Sequence, residues 1–206
     1  MSGTTQRRGR PRSAASEQAV LRAAIDLLAE GESPAAITIA EIARRAGAGK
    51  DTIYRRWQCK EDLLVDALAA QVGELDIPDS ASLREVLVIT LTELIERLQS
   101  DRARRLSRAL QSAGDDFPKL RARYVDTVIR RRRELIAEHV RAAVARGELR
   151  PGLDLEHVVQ MPFHYVLFSA INREPVTGDP RVVAEQLIDA LLTGIVASRG
   201  HDPGTR

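Results

Sequence analysis

Lys50, Thr52, Tyr54, Arg55 and Arg56 crowd together inside the stretch TIAEIARRAGAGKDTIYRRWQCKEDLL, Thr38 to Leu64. Ammonium, hydroxyl and guanidinium donors at this density suit non-covalent capture of phosphates and base edges rather than the making of bonds. The elements that must position them are legible in the same stretch. Thr38 and Glu41 have the spacing of a capping box, with the hydroxyl accepting an amide and the carboxylate reaching back. Ile39, Ile42, Ala43 and Ala46 recur at helical spacing, and Gly47 suits the left-handed position that ends a helix. Ala46 and Ala48 allow a close approach of the next helix. Ile53 and Trp57, four apart, supply its inner side, which leaves Lys50, Asp51, Thr52, Arg55 and Arg56 outward. Helix, tight turn and donor-rich helix is the sequence form of a helix-turn-helix that reads duplex DNA. An ordinary αα-hairpin with a solvated basic face is the plain alternative; the position after a basic arm and one helix favours DNA.

The arm is Arg7-Arg8-Gly9-Arg10-Pro11-Arg12. Glycine and proline keep such a segment slim and extended, so Arg8 and Arg10 are expected at a minor groove or at phosphates, ordered only on DNA. A basic tail adding only non-specific attraction is the alternative. Charge follows the same division: residues 1–60 hold 11 Lys and Arg against 6 Asp and Glu, whereas the remainder is net acidic. A basic head on a mildly acidic body is expected when only the head meets a polyanion.

The run around the turn resembles the DNA-binding domain of the tetracycline-repressor (TetR) family. Its signature falls on Gly47, Ala48, Gly49, Thr52, Ile53, Tyr54, Arg55, Arg56, Trp57, Lys60 and Glu61, and the close match spans roughly residues 16 to 68. Gly49 and Cys59 stand where the family usually has serine N-caps, so both helix starts are expected to be weaker. The resemblance implies that Tyr54, Arg56 and Lys60 hold phosphates, with Thr38 anchoring from the preceding helix. Lys50, Asp51 and Thr52 are placed nearest the base edges, and Arg55 serves either purpose. It further implies a homodimer, joined through the last two helices, on an inverted-repeat operator of double-stranded DNA, and release by a small-molecule effector.

The rest of the chain reads as helix nearly throughout, giving an all-α fold of about nine helices. The expected division is a flexible basic arm (1–15), a helix-turn-helix domain (16–60), a helical effector-binding and dimerisation domain (61–200) and a disordered tail (201–206). Ser82 and Glu85 form a second capping box ahead of Leu83, Val86, Leu87, Leu91, Leu94 and Leu98. Pro118 opens a long helix ending near Gly147, Asp154 caps the next, and Asp179-Pro180 places cap and first-turn proline in the preferred order for the last. In that last helix Val183, Leu187, Leu191 and Ile195, with Ala190 and Gly194 permitting close approach, are the expected dimer seam; packing within the chain is the alternative.

Only 3% of the 206 residues are aromatic, yet Phe163, Tyr165 and Phe168 lie together beside Met161 and His164. Pro162 removes a helical hydrogen bond there and should kink the helix. Phe117, Tyr124, Met161, His164, Tyr165 and Phe168 are therefore expected to line an effector cavity, with core or dimer packing as the plainer reading. Arg130 to Arg133 sweep about a full helical turn, so at least one guanidinium must lie along packed surface. Asp115, Asp116, Asp126 and Glu134 are its candidate partners. A solvated, salt-bridged face is preferred for this run over an anionic-effector site.

Rival classes fit less well. A helical-bundle enzyme with a carboxylate–histidine metal site needs repeated Glu-x-x-His pairs. The only comparable spacing is Asp154 to His157, where Asp154 is better explained as a cap. No catalytic residue, metal or cofactor is expected. A non-sensing architectural DNA-binding protein is the other rival. A single cysteine excludes an internal disulfide, and Cys59 beside Lys60 is a candidate for mild thiolate activation. No apolar run spans a bilayer and no signal peptide opens the sequence, so a cytoplasmic protein without membrane contact is expected.

Overall fold

A computed structural model of the chain describes residues 10–73, 75–78, 80–150, 152 and 154–195. Regular structure among them is helical: α1 Arg10–Ala29, α2 Ile39–Ala46, α3 Lys50–Tyr54, α4 Lys60–Ala69, α5 Leu83–Gln99, α6 Asp101–Asp116, α7 Pro118–Tyr124, α8 Arg130–Ala145, α9 Leu155–Ile171 and α10 Pro180–Ile195. A π-helical turn, Val125–Ile129, joins α7 to α8 without a break. Counted as continuous rods, this is the all-α architecture that the sequence implies.

The described residues of 1–73 and 105–128 form one compact unit, and those of 74–104 and 129–206 the other. The first unit thus passes the boundary expected at residue 60. The reason is α4, which buries Leu63, Leu64, Val65, Ala67 and Leu68 and packs against α1 and α7. Such burial binds α4 to the head by the area it removes from water. Val20, Ile25, Leu27 and Leu28 of α1 are buried in this unit, as are Ile37, Ile42, Ile53 and Trp57. A second difference lies at its start. α1 begins at Arg10 with Pro11 in its first turn, so that part of the arm is helical rather than extended; proline's fixed φ suits a first turn.

The second unit is organised about α5, which packs against α8, α9 and α10. Its start is held by the full capping box of Ser82 and Glu85, in which each side chain takes the other's backbone amide. Leu83, Val86, Leu87, Leu91 and Leu98 are buried as the spacing predicts, while Leu94 is half-buried. Thr90 is buried among them and gives its hydroxyl proton to the Val86 carbonyl at 2.7 Å. The Asp154 side chain accepts the His157 amide at the start of α9, and Asp179 accepts the amides of Arg181 and Val182 before α10. Both caps stand where the sequence places them. α9 continues through Pro162 without ending.

Candidate nucleic-acid interface

The turn between α2 and α3 is built as its residues require. Gly47 takes the left-handed conformation at φ 62° and ψ 31°. Its amide reaches the Arg44 carbonyl at 3.3 Å, and the Ala48 amide reaches that of Ala43 at 3.0 Å, which closes the helix end. Thr38 Oγ1 accepts the Glu41 amide at 3.1 Å. The capping box is only half made, because Glu41 does not reach back. Its carboxylate takes Arg44 instead, in two bonds of 2.9 and 2.6 Å. That charged pair holds the Glu41 carboxyl below its usual pKa range. A bidentate guanidinium outcompetes a single backbone amide for the same oxygens.

α3 turns two sides to two tasks. Ile53 is fully buried, and Trp57 just beyond is 4% exposed, its indole N–H donating to Asp66 at 2.8 Å. Lys50, Asp51, Tyr54 and Arg55 are exposed and Thr52 is half-exposed; the Tyr54 ring is 56% open to solvent. Gly49 and Cys59 do occupy the N-cap positions of α3 and α4, and neither makes a side-chain cap bond. Burial raises the Cys59 thiol pKa, and the Asp62 and Glu61 carboxylates add to the rise against an opposing Asp62 backbone hydrogen bond, which runs counter to the expected thiolate activation.

The basic side chains divide by partner. Arg45 is clamped to Glu30 by bonds of 2.6 and 2.9 Å. Arg56 pairs with Glu17 of α1 at 2.5 Å and lies 5.8 Å from the centroid of the Trp57 ring. Its expected phosphate role is therefore shared with a tie to α1. Among the described residues no acidic partner holds Lys50 or Arg55. Lys60 departs furthest from expectation. Its Nζ donates to the carbonyls of Pro34 at 2.8 Å, Ala35 at 3.1 Å and Ile37 at 2.7 Å. An ammonium has three protons, and all are committed, so no N–H remains for a phosphate. The Phe117 ring covers it, centred 4.9 Å away. Burial lowers the Lys60 pKa, against the neighbouring Glu61, which raises it. Arg8 lies outside the described residues, as does the side chain of Arg10.

The six residues expected to line a cavity divide between the two units. Phe117 covers Lys60, and Tyr124 is buried in α7 of the first unit. On α9, Met161, Tyr165 and Phe168 are 61%, 54% and 68% exposed, and His164 is exposed with them. The inner side of α9 is taken by Val159, Pro162, Val166 and Ala170, and the Met161, Tyr165 and Phe168 stripe is rotated away from it. Met161, His164, Tyr165 and Phe168 thus lie on the outer side of α9. On α10, Val183, Leu187 and Leu191 are half-buried against their own core, whereas Ala190 and Gly194 are exposed; the Ile195 side chain lies outside the described residues.

Arg132 is the packed member of the arginine run. It donates to Glu93 of α5 at 2.6 Å with its side chain 16% exposed. Sequence reasoning missed Glu93, Glu17 and Glu30 as partners. Each lies far along the chain from its arginine, beyond the reach of any helical spacing rule.

A row of donors on a short helix, anchored from behind by Ile53 and Trp57, defines a DNA-binding protein of the helix-turn-helix class. Residues 20–67 match the family described as bacterial regulatory proteins, tetR family, and residues 77–191 match the tetracyclin repressor-like C-terminal domain. The chain belongs to the TetR family of helix-turn-helix transcriptional regulators. It is 32% identical over 174 residues to the HTH-type transcriptional regulator YdeS of Bacillus subtilis, covering 84% of this chain and 85% of that one. It resembles the crystal structure of a TetR transcriptional regulator from Agrobacterium tumefaciens with a TM-score of 0.63 at 22% identity, over 89% of this chain and 96% of that one. FadR from Bacillus subtilis in complex with stearoyl-CoA gives a TM-score of 0.66 at 19% identity, over 86% and 98%. At these identities the two structures speak for the fold. No helix among the described residues is long and apolar enough to cross a membrane, and no cluster of three or more of their His, Cys, Asp and Glu side chains is placed to hold a metal ion.

Proposed function

We propose that this chain is a homodimeric repressor that binds an inverted-repeat operator in the cytoplasm and leaves it when a small molecule binds. The observation that carries this reading is the outward row of Lys50, Thr52 and Tyr54 on α3 with Arg55 at its C-cap, which has Ile53 and Trp57 buried behind it. Lys50, Asp51 and Thr52 face the base edges. Tyr54 and Arg55 reach phosphates, and Thr38 still has its hydroxyl proton to give because Oγ1 only accepts within the chain. Two such helices in successive major grooves stand roughly 34–36 Å apart.

The dimer reading draws on the exposed Met161, Tyr165 and Phe168 stripe of α9 together with Ala190 and Gly194 of α10. A contiguous exposed apolar stripe is the mark of an interface, and two-fold symmetry makes one patch serve both partners. These residues replace the half-buried Val183, Leu187 and Leu191 as the centre of the seam.

Selection of bound duplexes from a random library at near-physiological salt tests the whole. Recovery of one inverted repeat is expected. Phe168→Glu is expected to give a monomer by sedimentation and to lose affinity for the full repeat while still touching a half-site weakly. Binding without any enriched sequence, vanishing as salt rises, would instead favour an architectural protein. The recovered duplex then serves to screen effectors. Acyl-CoA thioesters are included because FadR of Bacillus subtilis holds one.

A further inference from the structure

We propose that Lys60 is a positioning residue, seated in a socket of three loop carbonyls under the Phe117 ring, and is not a phosphate ligand. The inference rests on the DNA-binding reading for its consequence, though not for the socket itself. The carbonyls of Pro34, Ala35 and Ile37 belong to the connection between α1 and α2, and all three point at one ammonium. Left without a cation, they would be three oxygens crowded on one side of a tight loop, with Pro34 and Ile37 buried. The residue after Ile37 is Thr38, the N-cap of α2. Lys60 is the first residue of α4, and Phe117 is the N-cap of α7. One charged group therefore fixes where α2 begins relative to α4, and an aromatic ring covers one side of the ammonium.

The choice of side chain agrees. The chain contains only three lysines, Lys50, Lys60 and Lys119, among 31 basic residues. Guanidinium is the better phosphate ligand, since its fork meets two oxygens at once. It cannot do what Lys60 does here, because a planar fork cannot offer three protons to three carbonyls arranged as a tripod. Retaining a compact ammonium at this position is what a socket demands.

Lys60→Arg separates the two roles, because it keeps the charge and changes the shape. If Lys60 holds a phosphate, arginine binds the selected duplex as tightly as the parent. If it fills the socket, Lys60→Arg loses about tenfold or more in affinity for matched and mismatched duplexes alike, at an unchanged salt slope. Arg55→Gln serves as the control for a true phosphate contact, its slope falling by about 0.9. A Lys60→Arg variant with parental affinity would overturn the proposal.

A second measurement reads the ammonium directly, first without DNA and then with it. With three lysines, the ammonium 15N–1H spectrum is assignable by replacing Lys50 and Lys119 with arginine. The Lys60 protons are expected to exchange slowly with water, to keep their shift when duplex is added, and to lose protection in Phe117→Ala. Fast exchange in the parent protein, or a Lys60 shift on DNA as large as that of Lys50, would refute the socket. Should no duplex be selected at all, the DNA reading fails while slow exchange still reports the socket.

Discussion

α3 and α5 are opposite solutions to holding a helix. α3 has five residues, a glycine cap without a side-chain bond, and one buried side chain. α5 has seventeen residues, a complete capping box and eight buried side chains. A five-residue helix cannot persist through its own hydrogen bonds, since nucleation alone is unfavourable. α3 is therefore held by its surroundings, through Ile53 and the flanking Trp57, and the rest of its side chains are released for a ligand. α5 spends its side chains inward and carries the core of its unit. The working helix is the one that contributes least to its own stability.

The largest effects should come from cutting each helix at its anchor. Ile53→Ala and Leu91→Ala remove buried side chains of similar size, both fully enclosed, and each should cost about 2–5 kcal/mol in urea unfolding. Their functional consequences should part. Ile53→Ala is expected to abolish operator binding at temperatures where the protein remains folded. Leu91→Ala is expected to keep nearly parental affinity under the same conditions. Equal loss of affinity in both, at equal folded fraction, would break the comparison.

Replacements on the outer side of α3 should sharpen it. Tyr54 is 56% exposed, so Tyr54→Ala should leave stability unchanged within about 0.5 kcal/mol and weaken binding to every sequence alike. Lys50→Ala should mainly narrow the gap between the selected duplex and a scrambled one, by about 1–3 kcal/mol. Competition binding against both duplexes reads the two patterns. Uniform behaviour of both variants would mean that α3 contacts only the backbone of the DNA.

The same contrast explains what was legible in the sequence. Local signals came through: the Gly47 turn, the Ile53 and Trp57 side, the Ser82–Glu85 box, and the Asp154 and Asp179 caps all depend on residues within four positions of one another. What failed depended either on partners far along the chain or on a competitor close by. Lys60 looks like a phosphate donor until the loop of Pro34 to Ile37 folds onto it. Glu41 has the spacing of a box but meets a stronger partner in Arg44. α9 is apolar on more than one side, so its periodicity does not tell which side faces in. Val159, Val166 and Ala170 took the core there with Phe163 at its edge, and Tyr165 and Phe168, which look like pocket lining in one dimension, were left outside.

The smallest predicted effects test the two caps directly. Ser82→Ala should cost about 1 kcal/mol, because a hydroxyl that accepts an amide is lost. The box should also weaken in acid. The Ser82 amide and hydroxyl hold the Glu85 carboxyl below its usual pKa, so its contribution is present above the unfolded value and fades as pH falls through the lowered one. Gly49→Ser is the reverse experiment. Gly49 sits at φ −72° and ψ 144°, which serine adopts freely, and an added Cβ meets only Thr52 Oγ1 at 3.9 Å. The new hydroxyl can accept an amide of the first turn, so stability should rise by a few tenths of a kcal/mol, read from the urea midpoint. Operator affinity should hold or improve slightly, since α3 would be better formed before it meets DNA. If stability rises but affinity drops, then Gly49 is bare for another reason: the backbone at the head of α3 passes too close to a phosphate for any side chain. In that case the weak cap is itself part of the interface.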